Sequence, residues 1–135
     1  MKIINLSHCL GALGLVALAS AAFAFAPGPG LSLLDSLERG SWQLRATSGV
    51  SPVGKICLGD PRWLMQLQHV GADCEQYVVR STANSVTVSY SCEAQGLGLT
   101  TIRKESNRII HIQSQGIRNK APFSFAVEGR KLGPC

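Results

Sequence analysis

The stretch Ser85-Val86-Thr87-Val88-Ser89-Tyr90-Ser91-Cys92 decides the fold. Apolar and polar side chains alternate along it without a break, the period of a β-strand with one face buried and the other in water. Val86, Val88, Tyr90 and Cys92 take the inward face, and Thr87, Ser89 and Ser91 the outward one. Just upstream, Ala83-Asn84 supplies a turn from a preceding strand around Tyr77 to Val79. Downstream, Leu99 to Lys104 turns at Ser106-Asn107 into Arg108 to Ser114, and Pro122 to Gly129 puts Phe123, Phe125 and Val127 on one face.

The same alternation opens the domain. From Ser41 to Ala46 a strand buries Trp42 and Leu44 and leaves Gln43 and Arg45 in water; the turn Ser48-Gly49-Val50-Ser51-Pro52 leads to a second short strand ending at Cys57. Two segments read as short helices. Ser32 with Asp35 three residues on resembles a capping box ahead of Leu33, Leu34 and Leu37. Asp60 caps and Pro61 opens a second helix whose Trp63, Leu64 and Leu67 are expected on one buried side. The expectation is an α+β domain: a curved antiparallel sheet of about seven strands, a meander or half-barrel, with one or two short helices.

The N-terminus has another character. Lys2 precedes an uncharged apolar run from Cys9 to Phe23 that ends in small residues, the pattern of a secretory signal peptide cleaved after Ala24. Gly11, Gly14 and Ser20 interrupt the run, which falls short of the roughly 18 to 20 strongly apolar residues that a membrane span needs. Residues 1–24 are therefore expected as signal peptide, 25–40 as linker and short helix, and 41–135 as a single disulfide-stapled domain, with no integral membrane segment after cleavage. The whole chain has 135 residues, 45% hydrophobic and 16% charged, enough for one domain with a real core and too apolar for disorder. Lys2 is the only charged residue before Phe25, which leaves 12 basic against 8 acidic side chains, a mildly basic domain.

Beyond residue 24 four cysteines remain, Cys57, Cys74, Cys92 and Cys135. An even set in an exported domain implies two disulfides, and the wide gaps lack the tight Cys pairs of a zinc site. Their pairing depends on the helix after Cys57. If it only caps the sheet, three cysteines crowd one end and two bridges cannot form. If it crosses back along the sheet, Cys74 joins Cys92 and Cys57 joins Cys135. One tension accompanies this reading. Pairing Tyr77 with Tyr90 and Val79 with Val88 sets Cys74 opposite Glu93, one residue off, and calls for a bulge near Glu75.

Several of these features together resemble a known family. The export signal, Gly40-Ser41-Trp42 at the first strand, Cys57-Leu58 before a helix, a lone Cys on each side of a hairpin, and the ending Arg130-Lys131-Leu132-Gly133-Pro134-Cys135 are similar to the proteobacterial secreted family called domain of unknown function 3617. The resemblance covers roughly Gly40 to Cys135. It implies location, fold and disulfides, and it transfers no catalytic residue.

Catalytic chemistry finds little support in the sequence. Neither His69, at a helix end, nor His111, within a strand, has a carboxylate or thiol at motif spacing, and no Gly-x-Ser-x-Gly or Ser-x-x-Lys string occurs. Gly96-Leu97-Gly98 joins strands instead of opening a helix, so it reads as a turn or bulge and not a phosphate loop. The expected protein is a non-enzymatic periplasmic or secreted binding module without cofactor or metal; the alternative is a hydrolase acting on an envelope component. The candidate binding surface is an apolar concavity lined by Trp42, Leu44, Val88, Tyr90, Phe123 and Phe125, with Arg103 and Arg108 at its rim for an anionic head. Its partner would be an amphipathic small molecule, an anionic envelope component or an envelope protein. Export and the lack of an aromatic stripe beside the basic residues exclude nucleic acid.

Overall fold

The computed structural model describes residues 30–135, so the expected signal peptide and its cleavage site lie outside the described residues. The alternating Ser85–Ser91 stretch is a strand with Val86, Val88 and Tyr90 buried. In chain order the strands are β1 (Gly40–Gly49), β2 (Gly54–Leu58), β3 (Glu75–Ser81), β4 (Ser85–Ser91), β5 (Gly96–Ser106), β6 (Ile109–Arg118) and β7 (Ala121–Gly133). They form one antiparallel sheet in the order β2-β1-β7-β6-β5-β4-β3. β3 to β7 run as a meander. β1, although first in the chain, completes the sheet beside β7, with Leu44 opposite Gly129.

One face of the sheet carries the core. Trp42 and Leu44 of β1, Val86 and Val88 of β4, Ile102 of β5, Ile110 and Ile112 of β6, and Phe125 and Val127 of β7 point to it. Two short helices close it: α1 (Ser32–Asp35), with Leu33 and Leu34 and the following Leu37, and a 3-10 helix over Pro61–His69, with Leu64, Met65 and Leu67. Each such side chain contributes about 1.5–3 kcal/mol by leaving water. Because Leu33, Leu34 and Leu37 are part of this core, the folded unit begins ahead of Ser41, and the expected short helix belongs to the domain; residues 25–29 of the expected linker lie outside the described residues.

β2 and β3 lie on opposite edges, so the Pro61–His69 helix crosses the core face from one to the other. This is the crossing that separates the cysteines into two ends. Cys57 joins Cys135, and Cys74 joins Cys92 with Cα atoms 4.1 Å apart.

Three local expectations are corrected. Gln76 pairs with Tyr90 and Val78 with Val88, so Cys74 continues directly to Cys92; the bulge lies at Val79 instead of near Glu75. Ser32 does not cap α1, whose N-cap is Leu31 with no side-chain hydrogen bond; Ser36 Oγ instead donates to the Leu33 carbonyl at 2.6 Å. Trp63 is 61% exposed, because the helix is 3-10 and breaks at Gln66 (φ −128°, ψ 43°), which turns Leu64, Met65, Leu67 and His69 inward. The cap at its start is as expected: the Asp60 carboxylate accepts from the Arg62 amide at 2.9 Å.

Candidate functional site

The six residues expected to line a concavity fill the core. Trp42, Leu44, Val88, Tyr90 and Phe125 are buried beneath the two helices, and Phe123 is half-buried at the margin with its ring stacked 6.1 Å from that of Phe125. Arg103 is not at their rim. It follows buried Ile102 by one residue and so points from the opposite face, as period two requires. Arg108 sits in the β5–β6 turn, where its guanidinium donates to the Lys131 carbonyl at 3.4 Å. The helices thus close the apolar face; Arg103 lies on the other side of the sheet from the expected lining, and Arg108 lies in a turn.

Polar groups inside the core pin the crossing helix. The Thr100 hydroxyl donates to the Met65 carbonyl at 2.6 Å and lies 2.8 Å from the Ser114 hydroxyl. His69 is 2% exposed and stands 3.2 Å from both the Tyr90 hydroxyl and the Gln95 carbonyl. A carbonyl only accepts, so Nε2 donates to Gln95, and in the neutral ring Nδ1 is the acceptor for the Tyr90 hydroxyl. Burial pushes the Tyr90 hydroxyl above its ordinary value, with a smaller opposing effect from the Ser114 hydroxyl. Tyr90 reaches this position across Gly98, its direct cross-strand partner; a Cβ there would fall 2.4 Å from the phenol oxygen. Gly96-Leu97-Gly98 is accordingly part of β5, and Gly98 clears the space that the ring occupies.

The outward half of the alternation builds a different surface, which no helix covers among the described residues. The strand register sets Ser85, Arg103, His111, Glu128 and Arg45 side by side in one row across five strands. The next row holds Thr87, Thr101, Gln113, Ala126 and Ser48, and a third Tyr77, Ser89, Leu99, Gln115 and Ser124. Beyond it stand Leu97 and Ile117, half-exposed. The face therefore grades from charged through hydroxyl and amide to apolar. A depression of about 200 Å³ opens among Thr47, Ser85, Thr101, Arg103, His111 and Gln113. Thr101, Gln113 and Ala126 connect it to a second, of about 330 Å³, bounded by Ser48, Leu99, Gln115 and Ser124.

In the first row His111 and Glu128 are paired, whereas Arg45 and Arg103 have no ion-pair partner among the described residues. His111 Nε2 lies 2.7 Å from Glu105, a carboxylate six residues upstream that the β5–β6 hairpin brings alongside. Arg130 contacts Glu128 at 2.6 Å and holds that carboxyl below the usual range by its hydrogen bond, with weaker help from the charges of His111 and Arg45. Arg103 has no carboxylate within ion-pair distance among the described residues. Its guanidinium, the Gln113 amide and the Thr and Ser hydroxyls present donors to one depression, the chemistry of an anion that also bears hydroxyl groups. Of the expected site residues only Arg103 belongs to this surface. The sequence signal for the rest was the outward half of β5 and β6, Thr101-x-Arg103 and His111-x-Gln113-x-Gln115, which alternates as regularly as the buried half.

Among the described residues no group of three or more His, Cys, Asp or Glu stands close enough to hold a metal ion, and no helix is long and apolar enough to cross a membrane. Two disulfides fit an oxidising, extracytoplasmic environment. No family model, no curated protein and no solved structure matches this chain.

Proposed function

We propose that the protein is a non-enzymatic binding module of the periplasm or the secreted space that holds an anionic, hydroxyl-bearing envelope component on its uncovered sheet face. The observation that carries this reading is the depression where the Arg103 guanidinium, unpaired among the described residues, stands among Thr47, Ser85, Thr101 and Gln113. Arg binds carboxylate and phosphate by two parallel hydrogen bonds, and the flanking hydroxyls and amide suit sugar hydroxyls. The disulfides, the signal-like N-terminus and the resemblance to a secreted family support the location. The half-exposed Leu97, Leu99 and Ile117 further along the face offer contact to an apolar portion of an amphipathic ligand.

The test is a titration of the oxidised protein with a sugar phosphate, a uronate oligosaccharide and the neutral oligosaccharide of the same length, followed by backbone amide NMR shifts. Binding of an anionic saccharide with shifts confined to Thr101, Arg103 and Gln113 is expected. Arg103→Gln should weaken it roughly 10- to 100-fold, the worth of one charge-assisted pair. Equal binding of the neutral saccharide, or shifts elsewhere, refutes the assignment.

A further inference from the structure

The sheet is open, and its two edges differ. β2 is five residues long, carries Lys55 and no acidic side chain, and is tied at its end through Cys57 to Cys135. Pairing β2 with its own copy brings like charges together. β3 at the other edge is longer and exposes Tyr77 (74%) and Val79 (53%), two large apolar side chains beside backbone groups that no other described strand pairs. An exposed edge of this kind is a template for another strand.

The charges on β3 are placed to select that strand. Glu75 and Arg80 point, like Tyr77, to the outward face of the sheet, as their partners Ser91, Thr87 and Ser89 on β4 show. Neither has an ion-pair partner among the described residues. The bulge lets Val78 and Val79 share one position opposite Val88. With the bulge counted as one position, an antiparallel pairing of β3 with a second β3 about a twofold axis at Tyr77 is consistent on both faces. Tyr77 meets the partner's Tyr77 on the outward face, Gln76 meets the partner's Val78 on the core face, and Glu75 meets the partner's Arg80 twice over. Bulges and charges blunt most edges, but a carboxylate and a guanidinium at self-complementary positions attract across this one. We infer that two copies of the chain pair through β3 into a continuous fourteen-stranded sheet. The symmetry is the isologous one expected of a homodimer, and the pairing leaves the Arg103 depressions free on both copies.

A single strand pair buries less than the roughly 1,000 Å² of a stable interface, so the dimer should be weak, half-formed at about 10–100 μM. Sedimentation velocity on the oxidised protein over a range bracketing those concentrations should show a monomer–dimer equilibrium. Glu75→Arg and Arg80→Glu each place two like-charge pairs across the axis and should each raise the dissociation constant at least tenfold, whereas the double variant restores opposite charges and should return close to wild type. Tyr77→Lys should give a monomer. Circular dichroism verifies the fold of each variant, which the exposure of all three residues leaves intact. A wild-type protein that is monomeric throughout, single reversals that still dimerise, or a double variant that stays monomeric each overturn the pairing.

Discussion

Substituting Gly98 by Ala examines the packing on which the core's polar end depends. The new Cβ would lie 2.4 Å from the Tyr90 oxygen, 2.5 Å from Cζ and 2.7 Å from Cε1, so the ring must move as a whole. The ring is 2% exposed, and its hydroxyl is hydrogen-bonded to His69 Nδ1 at 3.2 Å. Overpacking of a filled core costs about 1–3 kcal/mol, and a displaced buried hydrogen bond about 1 kcal/mol more. Removing a glycine from a strand returns about 0.5–1 kcal/mol. The expected net loss is about 2–3 kcal/mol, or roughly 10–15 °C in melting temperature for a domain of this size. Urea and thermal unfolding of the oxidised protein measure it, with near-UV circular dichroism reporting the Tyr90 environment. Gly59→Ala is the control, since no neighbour lies within 4 Å of a Cβ there, and it should stay within about 0.5 kcal/mol of wild type. In combination with Tyr90→Leu, Gly98→Ala should cost about 1–2 kcal/mol less than it does alone, because the obstructing ring is gone. A Gly98→Ala protein as stable as the Gly59 control, or additive losses in the double variant, would refute the account of Gly98 as clearance for Tyr90.

Thr100→Val keeps the shape but leaves the buried Met65 carbonyl without its donor, and should cost about 2–3 kcal/mol by urea unfolding while the sheet's far-UV signal is retained. Opening Cys57–Cys135, whose partners are 78 residues apart, should destabilise by about 4–5 kcal/mol, and opening Cys74–Cys92, 18 apart, by about 3 kcal/mol; paired Cys→Ala variants in urea rank them. Glu38 is held below its ordinary value of 4.5 by the Lys131 hydrogen bond and charge, so its contribution to stability is present above that pH and is lost as the carboxyl protonates at lower pH. Glu38→Gln should therefore flatten the loss of stability below pH 4.5, measured as urea midpoints against pH. Tyr90 behaves in the opposite sense: its raised value means stability present below pH 10 and lost as pH rises above it, a loss that Tyr90→Phe should remove from the alkaline limb.

Alternation made β4 legible from residues alone, because Val86, Val88 and Tyr90 each alternate with a hydroxyl residue and no second period competes. The cysteine pairing followed from topology, since only a crossing helix distributes four thiols to two ends. The register of β3 was less accessible. Tyr77 and Val79 suggest by their chemistry that both face inward, yet both are exposed, and nothing local announces that Val79 is the extra residue. Trp63 misled for a related reason: three- and four-residue spacing presumes an unbroken α-helix, and the break at Gln66 redistributes the faces. The candidate site escaped because the expected concavity assigned the large apolar residues to a ligand, when α1 and the crossing helix supply enough Leu and Met to cover them. Once that face is closed, the polar half of the alternation is the face of the sheet that stays in water among the described residues.

The place of β1 beside β7 has a kinetic consequence. The β3–β7 meander joins neighbours in sequence through short turns, so it can assemble by local contacts soon after collapse. β1 has no such route to β7. Ser41 must find Gly133 and Trp42 must find Lys131 across most of the domain, and the loop entropy of that search is lost before any contact compensates it. Folding should therefore occur in two stages, a fast meander and a slow docking of the β1–β2 hairpin. The Cys57–Cys135 bond can close only at the second stage. Trp42, which becomes fully buried in that step, is the built-in reporter of when the chain becomes resistant to reduction.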